Sequence, residues 1–276
     1  MKDTSIMKIL ALRDSNDITN QNLAYIIYYE LEKRFYIEIA DEVSKKQLPI
    51  SLFIYMQDDK RSLNSLQSYE WLKQRIIPSE RQNIVSILRD LHLNEYDEYR
   101  ILTFNEGRCS QDDCYLVLIN QDDLPDYIVN RFSNLIEYFI HLNDSKLLVF
   151  FKNGRIKRCD LKNIIKDDRF SSLINDYSRY EDLKLQAGGH GISFDDNLII
   201  ESSILYQKGF DLRITSNELY DVFKKLLIST NEACEILDCS RQNISDLVKR
   251  NKLIPFKQTN KDTLFLISDI LQRIDK

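Results

Sequence analysis

The sequence contains 276 residues, of which 43% are hydrophobic and 29% are charged, with six glycines and four prolines. A chain of this length and apolar content is expected to fold into two or three domains, which excludes a single small module. The formal net charge of −5 excludes a histone-like protein that binds nucleic acid through its overall charge, although it leaves room for a local basic region.

Three features of the sequence bear on the cellular compartment. Residues 1–13 lack the apolar run and the small-residue cleavage site of a secretory signal. No segment of about 18 apolar residues follows, so we expect no membrane-spanning helix. The five cysteines are an odd number, which does not suit a framework of disulfides. The sequence therefore predicts a cytoplasmic protein with reduced cysteines and no membrane partner.

The first part of the chain, residues 1–145, is predicted to be a mixed α/β domain that dimerises or binds a partner. Leu23–Tyr36 is rich in apolar residues and has helical character, whereas Ser51–Met56 has the length and composition of a short buried strand. The aromatic residues from Tyr25 to Tyr36 are expected to form core or a dimer face. The elements predicted after these are helices at Tyr69–Ile77 and Ser79–Leu91, a strand at Tyr115–Ile119 and a helix at Pro125–Leu142.

The middle part, residues 146–213, contains five of the six glycines and is predicted to form a small β-rich domain. Strands at Leu147–Phe151 and Arg155–Cys159 should form a hairpin, because Asn153 and Gly154 readily adopt the positive φ angles of a tight turn. The elements predicted after this hairpin are helical segments from Leu161 and at Tyr180–Gln186, a turn at Ala187–Gly191, and a second hairpin of Ile192–Phe194 with Leu198–Ile200.

A connecting helix is predicted at residues 214–227, which are amphipathic, and it leads into the C-terminal module, residues 228–276. Ser229 and Glu232 have the spacing of a capping box at the start of the first helix of this module. Ala233 lies in that helix, and its small side chain would let a second helix approach closely.

A second helix is predicted at Arg241–Arg250, after a short turn at Asp238–Cys239 and with Ser240 as its N-cap. The residues that face inward at spacings of three and four are Ile244, Leu247 and Val248. Asn251 should end this helix, because asparagine tolerates the left-handed conformation. Two short helices joined by a tight turn are typical of a helix-turn-helix.

Two further strands are predicted at Leu253–Phe256 and Thr263–Ile267, and the loop between them, Lys257–Asp262, would form a wing. Ser268 would then cap a last helix at Asp269–Ile274. The predicted fold is therefore α+β and multidomain, and it ends in a winged helix-turn-helix.

Basic residues are concentrated in the second helix and the wing. Between Ser240 and Lys261 there are six lysines and arginines and one acidic residue, Asp246. Lysine and arginine there can bind phosphates, while arginine, glutamine, asparagine and serine can read base edges. The residues predicted to contact DNA are Ser240, Arg241, Gln242, Asn243, Ser245, Lys249, Arg250, Lys252, Lys257, Gln258, Thr259, Asn260 and Lys261.

Residues 228–272 resemble the excisionase/MerR-like helix-turn-helix family. The matching segments are Ser229–Leu237, Cys239–Arg250, Lys252–Pro255 and Leu264–Ile270. The family usually has glycine where this chain has Asn251. The resemblance implies recognition of double-stranded DNA by the helix that starts at Ser240, with further contacts from the wing.

Two other parts of the chain resemble known families. Residues 147–212 are similar to a small toxin–antitoxin-associated bacterial domain of unknown function, which implies a fold and a gene neighbourhood but no reaction. The motifs that carry this similarity are Val149–Gly154, Cys159–Leu161, Phe170 with Leu173, Gly191–Phe194 and Ile204–Gly209.

Residues 69–119 resemble the N-terminal, non-kinase region of HipA-like toxins. This resemblance implies a role in docking a partner, and no kinase signature follows it. The residues that carry it are Trp71, Leu72, Arg75–Pro78, Arg81, Ile87, Leu88, Gly107, Arg108, Asp112 and Asp113.

Cysteines and histidines are interpreted as structural rather than catalytic. No histidine lies near Cys109 and Cys114 or near Cys234 and Cys239, so buried thiols are favoured over a zinc site. The three histidines, His92, His141 and His190, are scattered along the chain.

The glycine-rich turn and the paired acids are also interpreted as structural. Ala187–Gly191 could hold an anion, but it lacks the lysine and hydroxyl of a phosphate-binding loop, so a plain turn is favoured. Paired aspartates at turns are favoured for their own hydrogen bonds, and metal-dependent nuclease chemistry stays open as an alternative. These pairs are Asp112–Asp113, Asp122–Asp123, Asp167–Asp168 and Asp195–Asp196.

The sequence therefore predicts a bacterial sequence-specific DNA-binding transcriptional regulator, not an enzyme, with no cofactor and no metal. It would act as a homodimer on double-stranded DNA, and its most concrete form is an antitoxin-like autorepressor of a toxin–antitoxin or phage-defence operon, with a toxin or another protein as partner. The alternatives are an excisionase-like DNA-bending factor and a non-enzymatic adaptor whose helix-turn-helix docks protein.

Overall fold

The structure is a computed structural model that describes residues 7–56, 60–165, 180–194 and 198–273. It has an α+β fold, in which helices accompany several antiparallel sheets. No helix among the described residues is both long enough and apolar enough to cross a lipid bilayer.

The chain divides into two compact units. The first contains Met1–Asn153 and Lys157–Asp211, and the second contains Gly154–Ile156 and Leu212–Lys276. Residues 1–145 and most of 146–213, for which the sequence predicts two domains, thus belong to one unit. This unit has two hydrophobic clusters, and they do not follow the predicted boundary, because Ala187 belongs to the first cluster and Ile136 to the second.

The first unit is built on a five-stranded antiparallel sheet. Its strands are β1 (Met7–Asp14), β2 (Ala24–Tyr29), β3 (Arg34–Ile39), β4 (Ser62–Leu63) and β5 (Cys114–Ile119). The strand order is β4-β3-β2-β1-β5, so β1 pairs with its neighbour in the chain and also with the distant β5. The predicted strand at Tyr115–Ile119 is confirmed.

The prediction of helical character for Leu23–Tyr36 is wrong, because this segment forms β2, a turn and the start of β3. Every residue of β2 is buried, so its side chains show no alternation of apolar and polar residues. A short continuous apolar run cannot be assigned to helix or strand from periodicity alone. The aromatic residues from Tyr25 to Tyr36 lie in the core.

Five helices accompany this sheet: α1 (Ile50–Phe53), α2 (Ser65–Leu72), α3 (Ile84–Asp90), α4 (Glu98–Phe104) and α5 (Asp126–Ser133). The prediction of a strand at Ser51–Met56 is wrong. Pro49 precedes α1, where its fixed φ suits the start of a helix, and the buried Leu52 and Met56 have helical spacing.

The predicted helix boundaries in this region also need correction. Helix α2 starts earlier than Tyr69, because the Asn64 side chain accepts a hydrogen bond from the Gln67 amide and the Gln67 side chain caps in return. Helix α3 starts at Ile84, and the Ser79 hydroxyl bonds the Glu80 carboxylate instead of capping a helix.

The segment predicted as one helix from Pro125 to Leu142 forms a helix and then a strand. Helix α5 ends at Ser133, and strand β6 covers Ile136–Leu142. The β-branched and aromatic residues of β6 favour a strand, and the strand pairs antiparallel with the next one along the chain.

The rest of the first unit contains the predicted hairpins. Strands β7 (Lys146–Phe151) and β8 (Arg155–Asp160) are neighbours in a sheet with β6, which confirms the first hairpin. Gly154 between them has the predicted positive φ, 81°, whereas the prediction of a positive φ at Asn153 is wrong. The elements that follow are α6 (Leu161–Ile164), β9 (Lys184–Leu185), a 3₁₀ turn (Ala187–Gly189), β10 (Gly191–Ser193), β11 (Ile199–Glu201) and α7 (Ser202–Lys208).

The second predicted hairpin is confirmed by the pairing of β10 with β11. The prediction of a helical segment at Tyr180–Gln186 is wrong over Lys184–Leu185, which pairs with β10 as strand β9. Phe170 and Leu173 lie outside the described residues. Strand β12 (Phe210–Thr215) covers the point where the chain passes into the second unit.

After strand β12, the described residues of the second unit form four helices and three short strands. These are α8 (Ser216–Leu226), β13 (Leu227–Ser229), α9 (Thr230–Leu237), α10 (Arg241–Lys249), β14 (Lys257–Gln258), β15 (Thr263–Leu266) and α11 (Ile267–Leu271). The strands form one sheet in the order β13-β15-β14. The predicted helix-turn-helix and wing hairpin elements are therefore present.

Three boundaries in the second unit differ from the prediction. The first wing strand starts at Lys257 rather than Leu253, and Leu253 is a buried residue of the core of this unit. Helix α11 starts at Ile267 without a side-chain cap, and the Ser268 hydroxyl bonds Asp269. Strand β13 supplies a third strand to the sheet, and it includes Leu227, which was predicted as the last residue of the connecting helix.

Candidate nucleic-acid interface

The start of α9 is set by the predicted capping box. The Ser229 hydroxyl accepts a hydrogen bond from the Glu232 amide at 3.3 Å, and the Glu232 carboxylate accepts one from the Ser229 amide at 2.7 Å. Hydrogen bonds from the Ser229 amide and hydroxyl to the carboxylate lower the pKa of Glu232 below its usual value. Two amides that a helix N-terminus leaves without partners are thereby satisfied.

The turn between the two helices depends on Asp238, which has a φ of 46° and ends α9. The amide of Cys239 donates to the carbonyl of Cys234 at 3.0 Å, which is the long-range bond of a Schellman turn. Ser240 follows at once as the N-cap of α10, and its hydroxyl accepts from the Asn243 amide at 3.3 Å. The predicted cap is confirmed, and the two helices are separated by only a few residues.

The inner face of α10 packs into the core of the unit. Ala233 of α9 and Ile244 of α10 are fully buried, with 0% and 1% of their surface exposed, and Leu247 and Val248 pack against the same cluster. The small side chain at Ala233 leaves room for α10, as the sequence predicts. With this face fixed against the core, the opposite face of α10 points outward.

The end of α10 is formed by Asn251, which has a φ of 53° and stands where the resembling family has glycine. The Lys252 amide donates to the Leu247 carbonyl at 2.9 Å. Asparagine therefore supplies the left-handed residue that this helix end requires, as predicted. Arg250 and Lys252 flank this end, where positive charge is favourable next to unpaired carbonyl groups.

The wing is a short hairpin in which Gln258 pairs with Thr263. The hydroxyl of Thr259 donates to the Asp262 carbonyl at 3.1 Å and lies within hydrogen-bond distance of the amides of Lys261 and Asp262. The Thr259 hydroxyl, which was predicted to contact DNA, therefore stabilises the turn of the wing. Asn260 and Lys261 lie at the tip and are exposed.

All thirteen residues predicted to contact DNA have exposed side chains. Those on the outer face of α10 and at its ends are Ser240, Arg241, Gln242, Asn243, Ser245, Lys249, Arg250 and Lys252, and those in the wing are Lys257, Gln258, Thr259, Asn260 and Lys261. None of their cationic groups lies within ion-pair distance of a carboxylate among the described residues. Unpaired exposed cations beside amides and hydroxyls can bind phosphates and read base edges.

The cysteines are all free thiols. Cys114 and Cys159 are buried, and burial raises the pKa of each to about 12, so both are poor nucleophiles. Cys109, Cys234 and Cys239 are half-buried, and the pKa of Cys239 is raised by burial and by the neighbouring Cys234. Within the described residues no three histidine, cysteine or acidic side chains converge in a way that could hold a metal ion.

The histidines lie in different environments. His92 is exposed, and His141 has a buried Nε2 atom that forms no hydrogen bond with any described residue. His190 follows the glycine turn and lines a cavity of the first unit. Gly188 and Gly189 in that turn have φ of 62° and 84°, and a Cβ on Gly188 would lie 2.0 Å from the Tyr29 ring. The turn therefore serves close packing, which agrees with its interpretation as structural.

Three of the paired acids also have structural contacts. Asp112 binds Arg75, Asp113 accepts a hydrogen bond from the Asn16 side chain at 2.9 Å, and Asp123 accepts one from the Asn120 amide at 3.0 Å. Asp167–Asp168 and Asp195–Asp196 lie outside the described residues.

A cluster around Arg75 brings together residues that are far apart in the sequence. The Arg75 guanidinium, only 1% exposed, donates to the Gly107 carbonyl at 2.8 Å and pairs with Asp112 at 2.5 Å. It also lies 4.1 Å from the centre of the Trp71 ring. Four of the residues that match the HipA-like region therefore meet in one structural cluster in the folded protein: Trp71, Arg75, Gly107 and Asp112.

Sequence reasoning missed the polar residues that line the cavity of the first unit. Glu38, Arg131 and Glu201 come from β3, α5 and β11 and meet beside His190. No local spacing connects them, because they are separated by many residues in the chain. A charged residue inside the buried strand β3 was the signal that could have drawn attention to Glu38.

No protein-family model, no curated protein and no solved structure matches this chain.

Proposed function

We propose that this chain is a sequence-specific DNA-binding transcriptional regulator whose second unit binds duplex DNA. The observation that carries the proposal is the outer face of α10, where Arg241 and Lys249 are exposed and lie in no ion pair within the described residues. A helix of this kind fits the major groove with its N-terminal residues toward the bases.

The inner face of α10 explains why this surface is free to bind. Ile244 anchors the helix in the core, and the Ser240 cap fixes its first turn. Cations on a solvated face contribute little to folding, since exposed pairs are worth about 0–1 kcal/mol even when they form. Their concentration on one face of an acidic protein therefore favours a polyanionic partner over a role in stability.

The first turn of α10 suits a phosphate of the DNA backbone. Free amide groups and the positive end of the helix dipole attract anions, and Arg241 adds a full charge there. Gln242, Asn243 and Ser245 would then be placed to reach base edges, because they follow the cap on exposed positions. Contacts with phosphate would position the helix, and contacts with bases would give sequence preference.

The wing would add a second set of backbone contacts. Lys257 and Lys261 lie at opposite ends of a hairpin that the Thr259 hydroxyl holds in shape. The Thr259 hydroxyl already forms hydrogen bonds within the wing turn. Its main role would therefore be to support the wing rather than to contact DNA. Asn260 at the tip has an exposed amide side chain that can bind a phosphate or a base edge.

A single module of this size gives a small interface, so we propose that two copies act together on a two-fold symmetric site. The first unit would supply dimerisation or bind a protein partner such as a toxin. The protein would then act in the cytoplasm, and its most concrete role would be to repress its own operon.

The test is selection of DNA from a random duplex pool by the full-length protein, followed by mobility shifts with the selected sequence and with the upstream region of its own gene. We expect an enriched motif, and we expect Arg241→Ala with Lys249→Ala to weaken binding by about a hundredfold, because two cationic contacts from the outer face of α10 are lost.

The matched control is Lys224→Ala with Lys225→Ala, which removes two exposed positive charges from α8 of the same unit. It should change affinity less than threefold. Failure to enrich any motif, or equal binding by both double variants, would contradict the assignment of α10. Enrichment of bent DNA without occupancy of the upstream region would favour a DNA-bending factor.

A further inference from the structure

The first unit contains a cavity of about 260 Å³ whose lining includes several charged and polar side chains. Strand β3 contributes Glu38, helix α5 contributes Arg131, and strand β11 contributes Glu201. His190 lines it from the glycine turn. Every residue that lines the cavity belongs to the first unit, so the site does not depend on the DNA-binding module.

Glu38 is the most unusual group in this cavity, because only 3% of its surface is exposed. Its Oε2 atom accepts from the Ser62 hydroxyl at 2.6 Å and from Arg131 at 2.9 Å. Its Oε1 atom has no hydrogen bond within the described part of the chain, and it is not among the sealed unsatisfied atoms there. Oε1 therefore retains access to solvent at the cavity, as an acceptor without a partner.

Glu201 repeats this arrangement on another wall. Its Oε1 atom accepts from Lys60 at 2.5 Å and from the Asn64 amide at 3.1 Å. No hydrogen bond is formed by its Oε2 atom within the described residues. Glu38 and Glu201 thus both line the cavity, and each has one oxygen that accepts no hydrogen bond within the described residues. A carboxylate oxygen away from bulk water is stabilised when a donor reaches it.

The cations near the cavity are already engaged. Arg131 donates to Glu38, to the Ile39 carbonyl and to Asp41. Lys60 pairs with Glu201. An anion would therefore find no free positive group among these residues, whereas a donor would find two open carboxylate oxygens.

His190 adds a neutral wall. Its ring lies parallel to Tyr36, with centroids 3.8 Å apart, and its Nε2 atom is 3.2 Å from the Tyr29 hydroxyl. Burial and the charge of Lys152 lower the pKa of His190 to about 3, so the imidazole carries no charge near neutral pH. It does not repel a cationic ligand.

We propose that this cavity binds a small organic cation that presents several N–H groups, such as a protonated amine or amidine, to Glu38 and Glu201. The volume lies slightly below the roughly 300 Å³ at which ligand pockets usually begin, which limits the ligand to roughly ten non-hydrogen atoms. Charge-assisted hydrogen bonds from such a group to the two open oxygens would supply both affinity and selection for charge.

The probe for this site is benzamidine, with benzamide and benzoate as matched compounds of the same shape that are neutral and anionic. Titration of the full-length protein, followed by NMR or calorimetry, should give saturable binding of benzamidine with a Kd on the order of millimolar. Benzamide should bind at least about tenfold more weakly, because its hydrogen bonds lack charge assistance, and benzoate should not bind.

The variants Glu201→Gln and Glu38→Gln should each weaken benzamidine binding by about tenfold. Glu137→Gln, the same change at an exposed position of β6, should leave it unchanged. Because Glu38→Gln could disturb the buried pair with Arg131, Ser203→Phe gives a second test: Ser203 is an exposed residue of the lining, and the larger side chain should block the cavity.

No saturation by benzamidine at about 10 mM, ten times a millimolar Kd, would overturn the proposal. Equal binding of benzoate, or binding unchanged in both Glu201→Gln and Ser203→Phe, would also overturn it. These outcomes are independent of DNA binding, since selection of a DNA motif by the second unit can succeed or fail in either case.

Discussion

The imidazole of His190 lies flat against the phenol ring of Tyr36, with ring centroids 3.8 Å apart and planes 11° from parallel. Tyr29, on the neighbouring strand, meets the same imidazole edge-on at 72° and lies within hydrogen-bond distance of its Nε2 atom. Strands β2 and β3 thereby hold the glycine turn that carries His190. The packing around this ring gives the first unit a titratable group that stays neutral when folded.

This neutral imidazole predicts a loss of stability in acid. The pKa of His190 falls from 6.5 to about 3 on folding, because burial and the charge of Lys152 oppose protonation. In the unfolded chain the His190 imidazole is therefore protonated as the pH falls below about 6.5, whereas in the folded chain it is protonated only near pH 3. His190 contributes its full stabilisation above pH 6.5, and that contribution should fall by up to about 1.4 kcal/mol per pH unit between these values.

The measurement is the free energy of unfolding in urea at several pH values between 7 and 4, for the wild type and for His190→Gln. The difference between the two proteins isolates this group, because other titrating groups such as Glu38 are common to both. His92→Asn, at an exposed histidine with a φ of 54° that asparagine tolerates, is the control. A difference that does not change with pH would contradict an imidazole at position 190 that stays neutral in the folded protein.

A second prediction concerns Gly188, whose φ is 62° and whose missing side chain makes room for Tyr29. Alanine there would combine an unfavourable left-handed backbone with a Cβ only 2.0 Å from the tyrosine ring. We expect Gly188→Ala to lower the free energy of unfolding by roughly 2–4 kcal/mol.

Gly154→Ala provides the comparison, because Gly154 also has a positive φ but no other atom lies within 4 Å of the position that an alanine Cβ would take. Only the backbone cost of about 1 kcal/mol should remain. Urea unfolding of both variants measures the difference. Equal destabilisation would show that the steric contact with Tyr29 contributes nothing to the loss of stability.

A third prediction follows from the pairing of Arg75 with Asp112. Neutralising Asp112 leaves a guanidinium that is 1% exposed without its charge partner, so Asp112→Asn should cost about 3–5 kcal/mol of stability. Asp113→Asn changes the adjacent exposed residue and should cost less than about 0.5 kcal/mol. Thermal unfolding of the two variants tests this, and similar melting temperatures would contradict a buried ion pair that supports the fold.

A fourth prediction rests on the proposed DNA binding. If Lys257 and Lys261 each contact a phosphate, changing both to alanine should reduce the slope of log affinity against log salt by about 2. The sequence preference should not change, because phosphate contacts carry no base information. Affinities measured at several salt concentrations give the slope, and the Lys224→Ala with Lys225→Ala protein should keep the wild-type value.

The second unit could be predicted in detail because its signals are local. The capping box of Ser229 and Glu232, the cap at Ser240 and the helix end at Asn251 each involve residues within a few positions, and all are found in the structure. The first unit offered fewer such signals. Strand β2 is buried on both faces, so its apolar run resembled a helix.

The cavity of the first unit could not be predicted from one sequence. Lys60 meets Glu201 and Tyr29 meets His190 across more than a hundred positions in the chain, and no periodicity records such pairs. Local pattern identifies which residues share a face of one element. It does not identify which elements lie side by side, because that depends on the packing of the whole unit.

Strand β1 pairs on one side with a strand that follows it closely in the chain and on the other side with a strand about a hundred residues later. Its pairing with β2 joins neighbours in the chain, whereas Ile9 pairs with Ile119 of β5. During synthesis a ribosome therefore delivers β1, β2 and β3 well before the strand that covers the other side of β1. Until Cys114–Ile119 has emerged, the outer edge of β1 exposes a row of unpaired amides and carbonyls to other chains. A chain whose synthesis stops before this strand would keep that edge exposed and would be prone to aggregate through it.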